Sequence, residues 1–91
     1  MFYTYILKSK KDGKLYTSST KNLQLRFEQH KTGEVESTKY RRPLSLIYYE
    51  ACVEEKDAWR REKVLKSYRG KMFIRNQLKS YFTGSRGTKL Q

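Results

Sequence analysis

Residues 2–19 read FYTYILKSKKDGKLYTSS and predict a β-hairpin. Residues 2–8 are rich in aromatic and β-branched side chains in loose alternation, which is typical of a strand. Asp12-Gly13 follows, and Asp-Gly is a strong signal for a hairpin turn. Residues 14–19 then form the returning strand, so we expect the first two strands to be antiparallel neighbours.

The next part of the chain predicts a helix, a loop and a third strand. Apolar residues at steps of four predict a first helix at residues 22–31, with Thr20 as a favourable N-cap. Residues 32–44 contain a glycine, small polar residues and the single proline, which are typical of a loop. Residues 45–53 read SLIYYEACV and predict a third strand that is long and apolar enough to be central.

The last third of the chain predicts two helices. Residues 54–68 have acidic side chains in the first turn and basic ones at the end, an arrangement that the helix dipole favours. Arg69-Gly70 is expected to end this helix, and residues 71–82 predict a second one. The elements follow the order β-β-α-β-α-α, which indicates an α+β fold with a small three-stranded sheet covered by helices.

One domain is expected at residues 1–82, followed by a flexible basic tail at residues 83–91. The chain has 91 residues, of which 21 are Lys or Arg and 9 are Asp or Glu, so its net charge is +12. Residues 60–91 contain a single acid, Glu62. This asymmetry favours a nucleic-acid partner, and a solvated basic face is the alternative.

Composition excludes several classes of protein. The chain has one cysteine, Cys52, and one histidine, His30, which excludes an internal disulfide and a zinc site built from several Cys and His ligands. Its apolar runs are shorter than the ~20 residues of a membrane span, and its N-terminus lacks the pattern of a secretory signal. We therefore expect a cytoplasmic protein without a membrane partner.

Two groups of polar and aromatic side chains suggest a functional site. Tyr3 and Tyr5 share one face of the first strand, and Tyr16 lies across the hairpin. Ordinary cross-strand aromatic packing is the alternative for these tyrosines. Arg26 and His30 are four residues apart on the first helix, so they project from the same face. Such a pair can stabilise phosphate charge and transfer a proton, and two exposed polar residues are the alternative.

Glu62 is the third candidate. On a helical wheel it falls between Ala58 and Leu65, which belong to the apolar stripe of its helix. A glutamate is almost never fully buried without a partner. Mg²⁺ is often held by only one or two carboxylates together with water and substrate phosphates. The pattern therefore indicates either a metal ligand or a half-buried ion pair with an arginine.

These residues together resemble the GIY-YIG nuclease superfamily, and most closely its small single-domain bacterial members of the YhbQ type. The resemblance covers about residues 2–82 and rests on the order and spacing of Tyr3-Thr4-Tyr5, Tyr16-Thr17-Ser18, Arg26, His30, Arg41-Arg42-Pro43 and Arg61-Glu62-Lys63. It implies a three-stranded antiparallel sheet flanked by helices. It also implies metal-dependent hydrolysis of a phosphodiester bond, in the manner of an endonuclease acting on DNA in repair or recombination.

The resemblance assigns roles to two tyrosines. Tyr5 and Tyr16 match the two motif tyrosines of the family. Tyr16 is the candidate general base, because a deprotonated phenol beside a cation can accept a proton from water. Tyr5 is expected to orient the attacking water or to share that task.

The remaining site residues follow from the same resemblance. Arg26 would stabilise charge on the scissile phosphate, and His30 occupies a position that holds His or Tyr in several relatives. Glu62 would be the single protein ligand of Mg²⁺ or Mn²⁺. Asn76, fourteen residues further on, matches a late asparagine that supports the site in the family.

One residue departs from the family pattern. Ser18 stands where the second tripeptide usually ends in glycine, and its Cβ is expected to crowd the catalytic cleft. We therefore expect an endonuclease whose activity is weakened. The alternative is an inactive module that binds nucleic acid without cutting it.

Seven further basic residues are expected to contact nucleic acid, with simple solvation as the alternative. They lie on the first helix, in the loop after it and near the last helix: Lys31, Lys39, Arg41, Arg42, Arg69, Lys71 and Arg75. Sequence specificity is expected to need a further domain, so the alternatives are a structure-selective role, a non-specific role, or a protein partner that supplies targeting.

Overall fold

The computed structural model describes residues 1–84 and contains a three-stranded sheet with helices on both faces. The elements are β1 (Phe2–Ser9), β2 (Leu15–Thr20), α1 (Leu23–Thr32), a 3-10 turn (Lys39–Arg41), β3 (Leu44–Cys52), α2 (Glu55–Lys66), α3 (Tyr68–Gln77) and α4 (Lys79–Thr83). The predicted α+β fold is confirmed. Of the predicted tail, residues 85–91 lie outside the described residues. In residues 1–84 no helix is long and apolar enough to cross a membrane.

The strand order is β2-β1-β3, with both pairings antiparallel. The hairpin prediction is therefore correct, but β1 is the central strand and the prediction that β3 is central was wrong. The four residues at positions 4–7 of β1 are all buried, whereas Tyr49 of β3 is half exposed. β3 is apolar for a different reason: Leu46 packs into the core on one face of the sheet and Ile47 into the core on the other.

The two faces of the sheet carry separate apolar cores. Tyr5 and Leu7 point to the face that α1 covers, and Ile6 points to the face where Leu65 of α2 and Ile74 of α3 pack. This division follows from the alternation of side chains along a strand. Tyr5 therefore lies on the face of the sheet that α1 covers, and α2 and α3 cover the opposite face.

Helix α1 begins one residue later than predicted. Asn22 is its N-cap, because the Asn22 side chain accepts a hydrogen bond from the Leu25 backbone N–H at 3.1 Å. Thr20, the predicted cap, instead accepts a hydrogen bond from the Asn22 N–H. At the other end, Gly33 adopts a positive φ of 84°, a conformation that glycine reaches without steric cost.

The C-terminal region forms three helices rather than two. The break predicted at Arg69-Gly70 lies instead at Ser67, whose side chain caps α3 by accepting a hydrogen bond from the Gly70 N–H at 3.2 Å. Gly70 lies inside α3, where the backbones of α2 and α3 approach closely. A Cβ at this position would overlap the Val64 carbonyl and the Leu65 backbone. Glycine is required here for close packing rather than to end a helix.

A Gly70→Ala substitution is expected to lower the free energy of unfolding by about 2–3 kcal/mol, because the added Cβ forces α3 away from α2. Urea unfolding followed by circular dichroism measures this difference. Gln77→Ala, an exposed change on the same helix, should shift stability by less than about 0.5 kcal/mol. Equal unfolding midpoints for Gly70→Ala and the unmodified protein would contradict the close approach.

Candidate active site

A buried hydrogen-bonded chain links β1, α1 and the loop that follows α1. The Tyr5 hydroxyl is hydrogen-bonded to His30 Nε2 at 2.9 Å, and His30 Nδ1 is hydrogen-bonded to Thr38 Oγ1 at 2.7 Å. All three side chains have 0% exposure. Each polar atom in this chain therefore has a partner, as buried polar groups require.

Tyr16 lies beside this chain but reaches the surface. Its ring contacts the His30 ring edge to face, with centroids 5.4 Å apart, and its hydroxyl accepts a hydrogen bond of 3.4 Å from Ser37. Tyr16 also borders an open cleft of about 260 Å³ at the edge strand β2, together with Thr17, Lys66 and Lys71. We call it the tyrosine cleft. The Tyr16 hydroxyl takes part in an exposed contact, so this group is accessible to a substrate.

The structure changes the expected role of Tyr5. Its side chain is completely buried, so it cannot orient an attacking water directly. Burial raises the pKa of the Tyr5 phenol above its usual value, although Arg26 and Ser18 oppose this rise. A neutral phenol bonded to His30 positions the histidine ring, which in turn contacts Tyr16.

Arg26 and His30 lie together, as their spacing on α1 predicts. Arg26 is half-buried, and its Nη1 donates to Gln29 Oε1 at 3.1 Å. Burial and the neighbouring Arg26 charge lower the pKa of His30 from 6.5 to about 4. His30 is therefore neutral near pH 7 and does not supply the phosphate-stabilising charge expected from the sequence, which leaves that role to Arg26.

The buried neutral His30 predicts a pH-dependent stability. Its folded pKa of about 4 lies below the unfolded value of 6.5, so the unfolded chain binds more protons between these limits. The contribution of neutral His30 to the free energy of unfolding is fully present above pH 6.5. It decreases by about 1.4 kcal/mol per pH unit as the pH falls towards 4.

Urea unfolding of the unmodified protein and of His30→Gln at several pH values in this window tests the effect. The glutamine does not titrate, so its stability should vary less with pH than that of the unmodified protein. Asp12 does not interfere, since its carboxyl pKa is lowered from 3.8 and titrates below the window. The same pH dependence in both proteins would rule out a buried neutral histidine.

Glu62 projects from α2 on the face of the sheet opposite Tyr5. Ser19 Oγ donates to Glu62 Oε1 at 2.8 Å, and Lys66 Nζ donates to Oε2 at 2.7 Å. Glu62 thus forms a half-buried ion pair, but its partner is a lysine and not the arginine that the sequence suggests. Arg61 instead forms a two-bond pair with Glu50, at 2.7 and 3.3 Å.

The surroundings of Glu62 suit one kind of metal ion. Its side chain is 21% exposed, and its ion-pair partner Lys66 is 54% exposed and free to move away. Within residues 1–84 no group of three or more His, Cys, Asp or Glu side chains is placed to share a metal. This donor set fits Mg²⁺ or Mn²⁺ held by one carboxylate together with water and substrate phosphate, and does not fit a multi-ligand zinc site.

Asn76 lies elsewhere. It is exposed on α3 and borders a shallow depression with Arg69, Phe73 and Lys79. Two residues earlier on the helix, Ile74 is buried against the sheet, so Asn76 projects away from it. This placement does not support the role in the site that the sequence suggested.

The predicted nucleic-acid contacts fall into two groups. Near α1, several cations already have protein partners: Lys31 pairs with Glu28, Lys39 pairs with Glu36, and Arg42 donates to the carbonyls of Lys39 and Lys31. Arg42 therefore stabilises the end of α1. The second group is open: Lys71 and Arg75 border clefts together with Arg41, and Arg69 borders the depression near Asn76.

Sequence reasoning missed three polar contacts of the site. Lys66 had a signal, because it is four residues after Glu62 on the same helix. No sequence signal marks the contacts of Ser19 and Thr38, since these depend on how α2 and the loop after α1 pack against the sheet.

Comparisons with known proteins identify the family of this chain. Residues 1–79 match the model of the GIY-YIG catalytic domain. A UPF0213 protein of Staphylococcus haemolyticus is 40% identical over 67 residues, which cover 72% of this chain and 80% of that protein. A UPF0213 protein of Staphylococcus aureus is 39% identical over the same shares.

A solved structure shows the same fold. The solution NMR structure of a UPF0213 protein from Bacillus halodurans is similar with a TM-score of 0.53 and 32% sequence identity, over 85% of each chain. The family match spans β1 to the start of α4 and includes the tyrosines, Arg26, His30 and Glu62. The chain therefore belongs to the GIY-YIG family of nucleases.

Proposed function

We propose that this chain is a divalent-metal-dependent endonuclease that hydrolyses DNA phosphodiester bonds. One observation carries the proposal: Lys66, the ion-pair partner of Glu62, lines the same cleft as Tyr16. Glu62 is hydrogen-bonded to Ser19 of β2 from the α2 face of the sheet, and Tyr16 lies on the α1 face of the same edge strand, so a carboxylate, a phenol and a cation are all carried by β2 or bonded beside it. These are the groups that phosphodiester hydrolysis with a single metal ion needs.

Each residue has a distinct task in this proposal. Glu62 would hold Mg²⁺ or Mn²⁺, which polarises a phosphoryl oxygen and lowers the pKa of water. Tyr16 accepts the proton of the attacking water, and Arg26 stabilises the charge that develops on the phosphate. The buried chain of Tyr5, His30 and Thr38 acts as positioning support for the Tyr16 ring.

The test is cleavage of supercoiled and branched DNA by the purified protein with Mg²⁺, Mn²⁺ or EDTA. Nicking with either metal and none with EDTA is the expected result. Preference for branched DNA would support a role in repair or recombination, and a parallel RNA substrate tests the choice of nucleic acid. Steeply salt-dependent binding without any cleavage would favour the alternative, a nucleic-acid-binding module.

Ser18 is the feature that favours that alternative. It pairs with Tyr5 across the ladder and is half-buried. Among residues 1–84 only glycines have a positive φ, so the backbone at Ser18 does not itself require glycine. The glycine of the family would therefore allow a substrate to approach the backbone at this position, and the serine side chain would hinder that approach.

A Ser18→Gly substitution is expected to raise kcat/KM for DNA cleavage by about tenfold, because displacing a substrate by 1 Å can cost ~100-fold. Its stability should fall by about 0.5–1 kcal/mol, since glycine weakens a strand. Steady-state cleavage assays and urea unfolding measure the two effects. Thr20→Gly, at the end of the same strand, is the control and should lower stability without raising activity.

We also propose that the protein acts in the cytoplasm with a protein partner that directs it to its target. The described side chains form a cleft lined by lysine and arginine, and contacts of such residues with phosphates carry no base-specific information. Sequence-specific cleavage by the isolated chain would contradict the need for a partner.

A further inference from the structure

A second open cleft, of about 730 Å³, adjoins the tyrosine cleft. Four cationic residues and one acid line it: Lys14, Arg41, Lys71, Arg75 and Asp12. We call it the cationic cleft. Leu15 and Lys71 line both clefts, so the two are continuous along the edge of β2.

One wall of the cationic cleft is held rigidly. Three hydrogen bonds tie the β1–β2 hairpin to the region of the 3-10 turn: Ser9 Oγ to the Arg41 carbonyl at 2.6 Å, the Lys10 N–H to the Pro43 carbonyl at 2.8 Å, and Lys11 Nζ to the Tyr40 carbonyl at 3.2 Å. The positions of Lys14 and Arg41 on this wall are therefore fixed relative to each other.

Helix α3 forms the opposite wall. Ile74 is 1% exposed and packs against Ile6 and Leu65, which anchors the helix to the sheet. Arg75, the next residue, lies over the Phe82 ring at 5.4 Å. The cations of this wall are thus presented by a packed helix rather than by a loop.

The charge in the cationic cleft is poorly compensated. Asp12 is its single acid and approaches Arg41 Nε only to 3.8 Å. In residues 1–84, the side-chain nitrogens of Lys14, Lys71 and Arg75 have no carboxylate oxygen within 4.0 Å. Arg41 Nε is also buried without a hydrogen-bond partner. Such a cluster favours an anionic ligand with several oxygen acceptors.

We propose that the cationic cleft binds the phosphodiester backbone of the nucleic acid beside the bond that is cut. Lys14 precedes Tyr16 by two residues, a distance of about 7 Å along an extended chain. The rise of duplex DNA, about 3.4 Å per nucleotide, is measured along the helix axis, and successive phosphates of one strand lie farther apart because the strand winds around that axis, so this distance reaches about the neighbouring phosphate. The proposal rests on the proposed function, because Tyr16 marks the cleavage position.

The test compares two double variants that remove the same charge. Lys14→Gln/Arg75→Gln changes the cationic cleft, and Lys56→Gln/Lys63→Gln changes exposed lysines of α2 that line neither cleft. Fluorescence anisotropy with a labelled DNA duplex in EDTA, between about 50 and about 200 mM salt, gives the slope of log K against log salt.

The slope should become shallower by about 1.8 in the cleft variant, because each phosphate contact contributes about 0.9. The α2 variant should change it by less than half as much. Equal changes in both variants would indicate a diffuse charge effect and would overturn the proposal.

This test separates the inference from the proposed function. A protein that binds DNA through the cationic cleft but never cuts it would contradict the nuclease proposal while keeping the cleft as a phosphate site. A protein that nicks DNA with Mg²⁺ but shows equal slopes for the two double variants would overturn the inference alone. Circular dichroism checks that all variants remain folded.

Discussion

The Glu62→Gln variant is expected to lose metal-dependent DNA cleavage by about 1,000-fold or more. A bound metal ion contributes several kcal/mol to the stabilisation of the transition state, and each ~1.4 kcal/mol changes the rate tenfold. The amide keeps an oxygen that can accept the Ser19 hydrogen bond but removes the charge that would attract the ion. Mn²⁺ binding measured by calorimetry should weaken in parallel with cleavage.

The variant should remain folded. The pair of Glu62 with Lys66 is an i,i+4 contact whose lysine is 54% exposed, and such pairs contribute about 0.3–0.5 kcal/mol. Glu55→Gln removes the same charge from the first turn of α2 and is the matched control. Cleavage by Glu62→Gln at the rate of the unmodified protein, or an equal loss in Glu55→Gln, would contradict Glu62 as the metal ligand.

The Tyr16→Phe variant is expected to lower kcat by about 100- to 10,000-fold, the range for removing a general base. The phenyl ring retains its contact with His30, and the only described hydrogen bond to the hydroxyl is the 3.4 Å contact from Ser37. Stability and DNA affinity should therefore change little. Single-turnover cleavage and anisotropy measure the two quantities separately.

Tyr5→Phe is the informative comparison for Tyr16→Phe. It removes a hydroxyl that is fully buried and bonded to His30, so unfolding should become easier by about 1–3 kcal/mol. Its effect on kcat should be smaller than that of Tyr16→Phe, because Tyr5 does not reach the surface. A larger loss of kcat in Tyr5→Phe would reverse the roles proposed for the two tyrosines.

Several features could be predicted from the sequence because they depend on neighbours along the chain. The Asp12-Gly13 turn determines the hairpin, and the hairpin places Tyr5 and Tyr16 on one face of adjacent strands. A four-residue step on one helix brings Arg26 beside His30. The family resemblance could be drawn from the order and spacing of these residues without any coordinates.

Other features could not be predicted because they depend on packing between distant segments. The apolar sequence of the third strand suggested that this strand is central. Instead, β3 pairs with the free edge of β1 and is covered by helices on both faces. Gly70 resembled a helix terminator, yet it is the point where two helices touch. A sequence pattern does not distinguish a residue that breaks a helix from one that permits close contact.

The chemistry of the site likewise depends partly on the sequence and partly on the tertiary structure. The sequence by itself determined which residue types are available to the site: two tyrosines, an arginine, a histidine and one helical glutamate. Tertiary structure decided what each can do, because burial sets the pKa of His30, excludes Tyr5 from substrate and turns Asn76 outward. Solvent access and long-range charge depend on the packed chain as a whole, and so do the joined clefts along β2.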